Sequence, residues 1–467
     1  MTTPRVHPAY SLDILVSSDQ ETNIGQILTA GPGHVDFRLA GHQSPGWIRM
    51  VVTTESERHL LDLESRLRQG LQLHLVHCED RVLARSRGGK TQTRASVPLD
   101  TPEDLAIAYT PGVGRVSRLL AQSPERVNEL TGKANRVAVV TDGSAVLGLG
   151  NLGPAAALPV MEGKAALFAH LAVIDAVPIC LNTQDVDEIV QAITAIAPAF
   201  GGINLEDISA PRCFEIEKRL RDTLDIPVIH DDQHGTAIVV LAAMLNALES
   251  LGKALKSARI VIVGAGAAGT AVTRLLLAAG ARDVTVWAPV GVLHPDNGGQ
   301  LPEHKRWLAH HTNPRGIQGG LEEALNKADA VVGVSAAGVL SRGLIKRMAK
   351  RPIVFALANP HPEIDPDDIA DLGAIIATGS SDYPNQVNNA LAFPGLFRGL
   401  LDSSTNRPDA PAFLAAAHAL ADLSKPVSPT RLLPEVLDPR VAPAIATAVR
   451  QLATASLNDP RKGTAHA

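Results

Sequence analysis

Two short acidic pairs stand directly after apolar runs: Glu206 and Asp207 follow residues 202–205 (GINL), and Asp231 and Asp232 follow residues 226–230 (IPVIH). Short apolar runs closing on charge read as buried strands, and in open α/β sheets ligands collect beyond the carboxyl ends of strands. Two such ends would bring three or four carboxylates together. Anions that close raise one another's pKa unless a cation compensates, and hard oxygen donors suit Mg2+ or Mn2+. On spacing alone the same acids also read as helix N-caps or solvated loop residues, and both readings stay open.

Lys164 lies in MEGKAALF (161–168), a charge opening an apolar helical stretch. A lysine buried there would lose its proton more easily and could act as a base; the alternative is a surface lysine whose stem lies along apolar neighbours. Tyr109, in AYTPGV (108–113), is one of three tyrosines. Taken alone it reads as a buried structural residue as readily as a functional one. Gly264, Gly266 and Gly269 form GxGxxG between an apolar strand (260–263) and a helical run (271–279). In that context the glycines allow a tight turn and close backbone approach, with a helix N-terminus facing a pyrophosphate. The second strand (284–288) would end in an acid if the ribose 2′-hydroxyl of NAD were held there, but it ends in Ala288 and Pro289 with no adjacent cation. NAD and NADP therefore both stay open, with a slight lean to NAD.

The elements that must position these residues fall into segments. Residues 12–16 form an apolar run, 23–30 a short helical stretch, and 35–39 and 47–52 strand-like runs joined by a turn at 41–46. Residues 55–68 place Leu60, Leu63 and Leu67 on one helical face, and Leu71, Leu73 and Leu75 alternate as a strand. The order βαββαβ predicts a small α+β ferredoxin-like unit, either a structural appendage or an effector-binding module. Residues 85–93 are polar with paired glycines and read as a linker. Mixed α/β structure follows to about residue 247, βαβ units from 259 to about 401, and an Ala-rich helical tail from 408 whose residues 441–457 could pack back on the middle domain. The expected domains are 1–88, 89–247, 248–405 and 406–467.

Composition narrows the function classes. Apolar residues at 45%, charged residues at 19% and a net charge of -5 describe a globular chain with no broad basic field, which argues against nucleic-acid binding. The longest wholly apolar stretch, 237–245, is too short to cross about 30 Å of hydrocarbon. Cys78, Cys180 and Cys213 are odd in number and unpaired in spacing, so a reducing cytoplasm without disulfides or structural zinc is expected.

Taken together the catalytic segments resemble the malic enzymes from about Lys90 onward: AYTPGV (108–113), VTDGSAVLGLGNLG (140–153), MEGKAALF (161–168), NLEDI (204–208), HDDQHGTAIV (230–239), GAGAAG (264–269), FALANP (355–360) and SDYPNQVNNALAFPG (381–395). The N-terminal unit resembles the ACT domain of some bacterial members, by pattern more than by motif. The resemblance implies a two-domain architecture with a Rossmann-type dinucleotide domain, a homodimer or higher homo-oligomer, and metal-dependent oxidative decarboxylation of malate to pyruvate with NAD or NADP. It implies Glu206, Asp207 and Asp232 as metal ligands beside Asp231, Lys164 as base and Tyr109 as acid. Asn359, Asn388 and Asn389 would hold substrate and nicotinamide ribose. Three positions depart from the family pattern: Ala288 for an acid, and Ala145 and Ser380 for arginines. Two rival classes are an amino-acid dehydrogenase, which needs no metal, and a non-catalytic metabolite sensor, against which the retention of Tyr109, Lys164 and the three ligands argues.

Overall fold

The chain divides into two compact units, Met1–Gln92 and Thr93–Ala467. The computed structural model describes residues 6–40, 46–297, 299–380, 383–403 and 407–457.

The first unit runs β1 (Ser11–Ser17), α1 (Glu21–Thr29), β2 (Asp36–Leu39), β3 (Trp47–Thr53), α2 (Glu57–Leu71), β4 (Leu75–Asp80) and α3 (Arg81–Ser86). Its sheet has the order β2-β3-β1-β4 with antiparallel neighbours throughout, the expected ferredoxin-like arrangement. Leu12, Ile14 and Val16 alternate inward from β1 onto Leu60, Leu63, Leu67 and Leu71 of α2. Leu71 thus belongs to the helix and not to the expected strand. It is the next position on the apolar stripe, and the helix stops only where Gln72 takes a positive φ of 43°. Leu73 is left 96% exposed and the strand begins at Leu75. The expected linker also starts late, because Asp80 caps α3 through the Val82 and Leu83 amides and carries the helix to Ser86. The turn expected at 41–46 lies, apart from Gly46, outside the described residues.

The second unit opens with α4 (Pro102–Ala108), α5 (Gly112–Gln122) and the short α6 (Val127–Leu130). Then come β5 (Arg136–Thr141), α7 (Pro154–Ala172), β6 (Asp175–Cys180), α8 (Val186–Ile196), β7 (Gly202–Leu205), α9 (Arg212–Thr223), β8 (Val228–His230) and α10 (Asp231–Ser250). The four strands form a parallel sheet ordered β6-β5-β7-β8. Val137 to Val140 are all fully buried, as a strand covered on both faces requires.

A six-stranded sheet follows, built from β9 (Arg259–Val263), α11 (Ala267–Ala278), β10 (Asp283–Ala288), β11 (Gly291–Val292), α12 (Glu303–His311), α13 (Leu321–Leu325), β12 (Ala330–Gly333), α14 (Arg342–Ile345), β13 (Ile353–Ala356) and β14 (Ile375–Thr378). Its order, β11-β10-β9-β12-β13-β14, is parallel except for the short hairpin strand β11. This is a Rossmann-type sheet whose winding reverses between β9 and β12, the place where dinucleotides bind. α15 (Phe393–Ser403), α16 (Ala410–Asp422) and α17 (Val441–Leu457) pack on one another and on α7, α10 and α11. α10 is buried along nearly its whole length and carries the apolar run 237–245 inside one continuous core. Among the described residues no helix is long and apolar enough to cross a membrane.

Candidate active site

Glu206 continues the path of β7 by one residue, its amide donating to the Val140 carbonyl at 2.9 Å. Asp207 then leaves the sheet with a φ of 53°, a left-handed turn rarely held by a non-glycine residue. Its carbonyl accepts from the Ala145 amide at 2.9 Å. β8 runs straight into α10, so Asp231 and Asp232 occupy the first turn, where the helix dipole favours negative charge. Asp232 accepts from the Asp207 amide at 2.8 Å and ties the two strand ends together.

These ends place one carboxylate oxygen each from Glu206, Asp207 and Asp232 within 4.8 Å of one another. Glu206 and Asp207 are buried, Asp232 is partly exposed, and Asp207 Oδ2 has no hydrogen-bond partner among the described residues. Burial and the neighbouring acids push Asp207 up to about 8, and burial pushes Asp232 and Asp231 up to about 6. With Asp231 beside them, four carboxylates face one ammonium, Lys164. A hard divalent cation fits this donor set by charge and by oxygen chemistry.

Lys164 sits in the middle of α7 and does not open it, because the helix already starts at Pro154. Its ammonium, 7% exposed, donates to Asp231 Oδ2 and to Glu206 Oε2, the latter at 2.5 Å, and lies 4.4 Å above the Phe393 ring. Burial pushes Lys164 down, but Asp231 and Glu206 outweigh it and hold the ammonium above its ordinary value. The expected depression is therefore not present: the acids that would bind a cation hold the proton instead. Asn389 Nδ2 donates to Asp231 Oδ2 at 2.7 Å, which extends the network to the loop before α15. Asn388 is not drawn in by any such bond; its Oδ1 caps the following turn through the Ala390 amide.

The dinucleotide loop has the geometry its glycines require. Gly264 has a φ of 122°, and a Cβ there would meet the Val334 carbonyl oxygen at 2.4 Å. At Gly269 a Cβ would strike the Gly264 carbonyl oxygen at 1.9 Å, whereas at Gly266 it would meet open space in front of α11. That helix begins at Ala267, earlier than the expected 271, which puts its N-terminus at the loop as a pyrophosphate site demands. Ala288 ends β10 fully buried and pairs with Gly291 across the hairpin. Asn359 follows β13, and its backbone abuts Gly148 of the catalytic half.

Tyr109, the expected acid, is exposed, unlike the buried Lys164. It stands at the C-terminal end of α4, 65% exposed, in a stretch from 93 to 122 that contains no buried residue. Three further polar pairings were given no role by the motif reading. Asn204 donates to Glu206 Oε2 at 2.9 Å, Arg212 pairs with buried Asp142 at 2.8 Å, and Glu363 accepts from the Ser335 and Ala358 amides at 2.8 and 3.0 Å. Asn204 was visible as a polar residue inside a four-residue apolar strand. Glu363 gave no local signal, because its partners come from two different strand ends.

A parallel sheet ending in clustered carboxylates and a lysine, joined to a Rossmann sheet with a glycine loop, defines a dinucleotide-dependent oxidoreductase. Residues 88–221 match the family model for the malic enzyme N-terminal domain, and residues 233–454 match that for the malic enzyme NAD binding domain. The chain is 45% identical over 447 residues to the NAD-dependent malic enzyme of Geobacillus stearothermophilus, covering 95% of this chain and 93% of that one. It is also 45% identical to the NADP-dependent malic enzyme of Halomonas elongata, over 79% of this chain and 91% of that one. The crystal structure of the NAD-dependent malic enzyme of Thermotoga maritima superposes with a TM-score of 0.77 at 45% identity, covering 80% of this chain and 99% of that one. The chain belongs to the malic enzyme family. Neither the amino-acid dehydrogenase nor the metabolite-sensor alternative is favoured by these matches.

The acid cluster has a consequence for stability. Asp207, Asp231 and Asp232 are raised above the ordinary carboxylate range, so the unfolded chain ionises first and stability is lost as pH rises from about 4 through their folded values. A divalent cation opposes that loss and competes with protons for the same oxygens. The gain in melting temperature on adding Mn2+ is therefore expected to be larger at about pH 8 than at about pH 5. An equal gain at both pH values would count against ligation by these acids.

Proposed function

We propose that this enzyme oxidatively decarboxylates L-malate to pyruvate and carbon dioxide while reducing NAD or NADP. The observation that carries this reading is the carboxylate trio at two strand ends, with Lys164 salt-bridged to Glu206 and to the adjacent Asp231, in a chain of the malic enzyme family. Glu206, Asp207 and Asp232 are assigned to Mg2+ or Mn2+, which supplies positive charge for binding the hydroxyl and carboxylate of malate and for stabilising negative charge as carbon dioxide leaves. The dinucleotide, at Gly264, Gly266 and Gly269 with its ribose near Ala288 and Asn359, is the hydride acceptor.

Lys164 removes the malate hydroxyl proton once the charge of its acidic neighbours is compensated, and Asp231 orients the lysine. Asn389, with Asn388 and Asn359, orients the substrate. Tyr109 protonates C3 of the enol product. It must then approach Lys164, yet its own arm is exposed and bears Val97, Leu99, Leu105, Ile107 and Val113 on its surface. An apolar surface of that kind suits burial by a second copy, so we assign a homodimer in which Tyr109 of the partner subunit completes each site. The catalytic residues fall in 89–247, the dinucleotide domain in 248–405 and the helical tail in 406–467. A cytoplasmic setting agrees with the three free cysteines.

Initial rates with malate and Mn2+ test the assignment directly. Pyruvate is expected with both cofactors, NAD slightly ahead. The two rates should differ by less than about tenfold, because the strand end lacks the charged group whose hydrogen bond, worth about 1.5–3 kcal/mol, would discriminate. No pyruvate with either cofactor would sink the reading. The ACT-like unit, 1–88, is assigned to a small-molecule effector, so its deletion should preserve turnover and remove the response to metabolites. An unchanged response to every metabolite tried would refute this.

A further inference from the structure

α9 buries one face, carrying Cys213, Ile216 and Leu220, and among them stands a single carboxylate, Glu217, 6% exposed. A carboxylate so placed needs partners. Among the described residues three groups hydrogen-bond to it, all from the start of α10. The His230 amide donates to Glu217 Oε1 at 3.1 Å, His234 Nε2 meets the same oxygen at 2.8 Å, and Gln233 Nε2 donates to Oε2 at 3.1 Å. Burial pushes the Glu217 carboxyl up, and His234 pulls it further down, so it stays below its ordinary value.

The three donors bracket Asp231 and Asp232 in sequence. A helix N-terminus leaves several amides without intrahelical partners, and His230, at the N-cap of α10, offers no side-chain cap of its own. Glu217 does that work from another helix. Because it grips positions 230, 233 and 234 at once, it fixes both the height and the rotation of the first turn. Those two quantities decide where the acids at 231 and 232 point.

We propose that Glu217 is a positioning residue for the metal centre, holding the first turn of α10 through His230, Gln233 and His234 so that Asp232 and Asp231 present their carboxylates to one cation and to Lys164. The inference rests on the reading of Glu206, Asp207 and Asp232 as the metal ligands. Nothing in the sequence motifs carries it, since Glu217 lies 14 residues before Asp231 on a separate helix.

The test is Mn2+ titration of the metal-free, full-length protein by calorimetry, with circular dichroism for folding and steady-state rates alongside. Glu217→Ala leaves three donors without an acceptor and is expected to weaken Mn2+ binding by about 10- to 100-fold, the usual effect of removing a partner that orients metal ligands. In that variant KM for malate should rise at fixed Mn2+, while kcat at saturating Mn2+ is largely kept. Glu217→Gln keeps an oxygen for His230 and His234 and should bind Mn2+ within about threefold of wild type, the loss of roughly one hydrogen bond. Should the alanine variant fail to fold, His234→Phe replaces it; the ring can keep its stacking on Phe413, 4.5 Å away, but loses the bond to Glu217. A several-fold weaker Mn2+ affinity is then expected. A folded alanine or phenylalanine variant with wild-type Mn2+ affinity, even at a lowered melting temperature, overturns the proposal, as does a glutamine variant as impaired as the alanine one. Wild-type protein that binds no Mn2+ would instead sink the metal assignment itself.

Discussion

Lys164→Ala is expected to abolish malate oxidation, with kcat lowered by about 10²–10⁴ or more, the contribution of one positioned acid-base group, while the folded variant still binds Mn2+. Among the described residues the Lys164 ammonium is the cation that pairs with both Glu206 and Asp231, and those two acids hold it at a fixed point. Removing it takes away the proton acceptor for the malate hydroxyl but none of the three carboxylates assigned to the cation. It also removes a charge that competes with the cation for Glu206. Mn2+ affinity should therefore be retained or strengthened, whereas the metal-free variant should melt at a lower temperature because two buried acids have lost their counter-charge. Rates with saturating malate, together with a calorimetric Mn2+ titration, read both halves. Turnover at the wild-type rate would remove Lys164 from the role of base.

Tyr109→Phe is expected to lose activity comparably, and the two dead variants should rescue each other. Heterodimers purified through two different tags would carry one site with intact Lys164 and, facing it, the intact Tyr109 of the partner subunit. If the tyrosine acts across the interface, that site works and the other is doubly impaired. Should Tyr109 serve its own chain, each site lacks one group and the heterodimer stays as inactive as its parents. The motivation is geometric. Lys164 is 7% exposed deep in the fold, while Tyr109 is 65% exposed on an arm none of whose residues from 93 to 122 is buried. Inactive heterodimers would show that the arm instead folds back onto its own chain.

Much of the fold was legible because its signals are local. The apolar run of β1, the stripe of α2 and the strand-loop-helix around Gly264 follow from short apolar runs, from the period of the helix and from glycine's freedom at positive φ. Local reading failed where two periods overlapped. Leu71 fits a strand with Leu73 and Leu75, but equally continues the stripe of Leu60, Leu63 and Leu67, and packing against β1 decided for the helix. Lys164 was legible as a residue type and as part of a motif. Its charge state was not, because that depends on Asp231, 67 residues away, and on Glu206.

By itself the sequence determined that acids close two strands, that a glycine loop follows a third, and that the chain has the composition of a globular enzyme; these are properties of short windows. Only the tertiary structure decided that the two strand ends meet, with three carboxylates within 4.8 Å of one another. It alone decided that Asn389 and Lys164 converge on Asp231, that Glu217 braces α10 from α9, and that Tyr109 is left exposed. Contacts between residues from 13 to 158 positions apart are set by how sheets and helices stack to bury apolar surface, and the local periodicity of the sequence does not contain them.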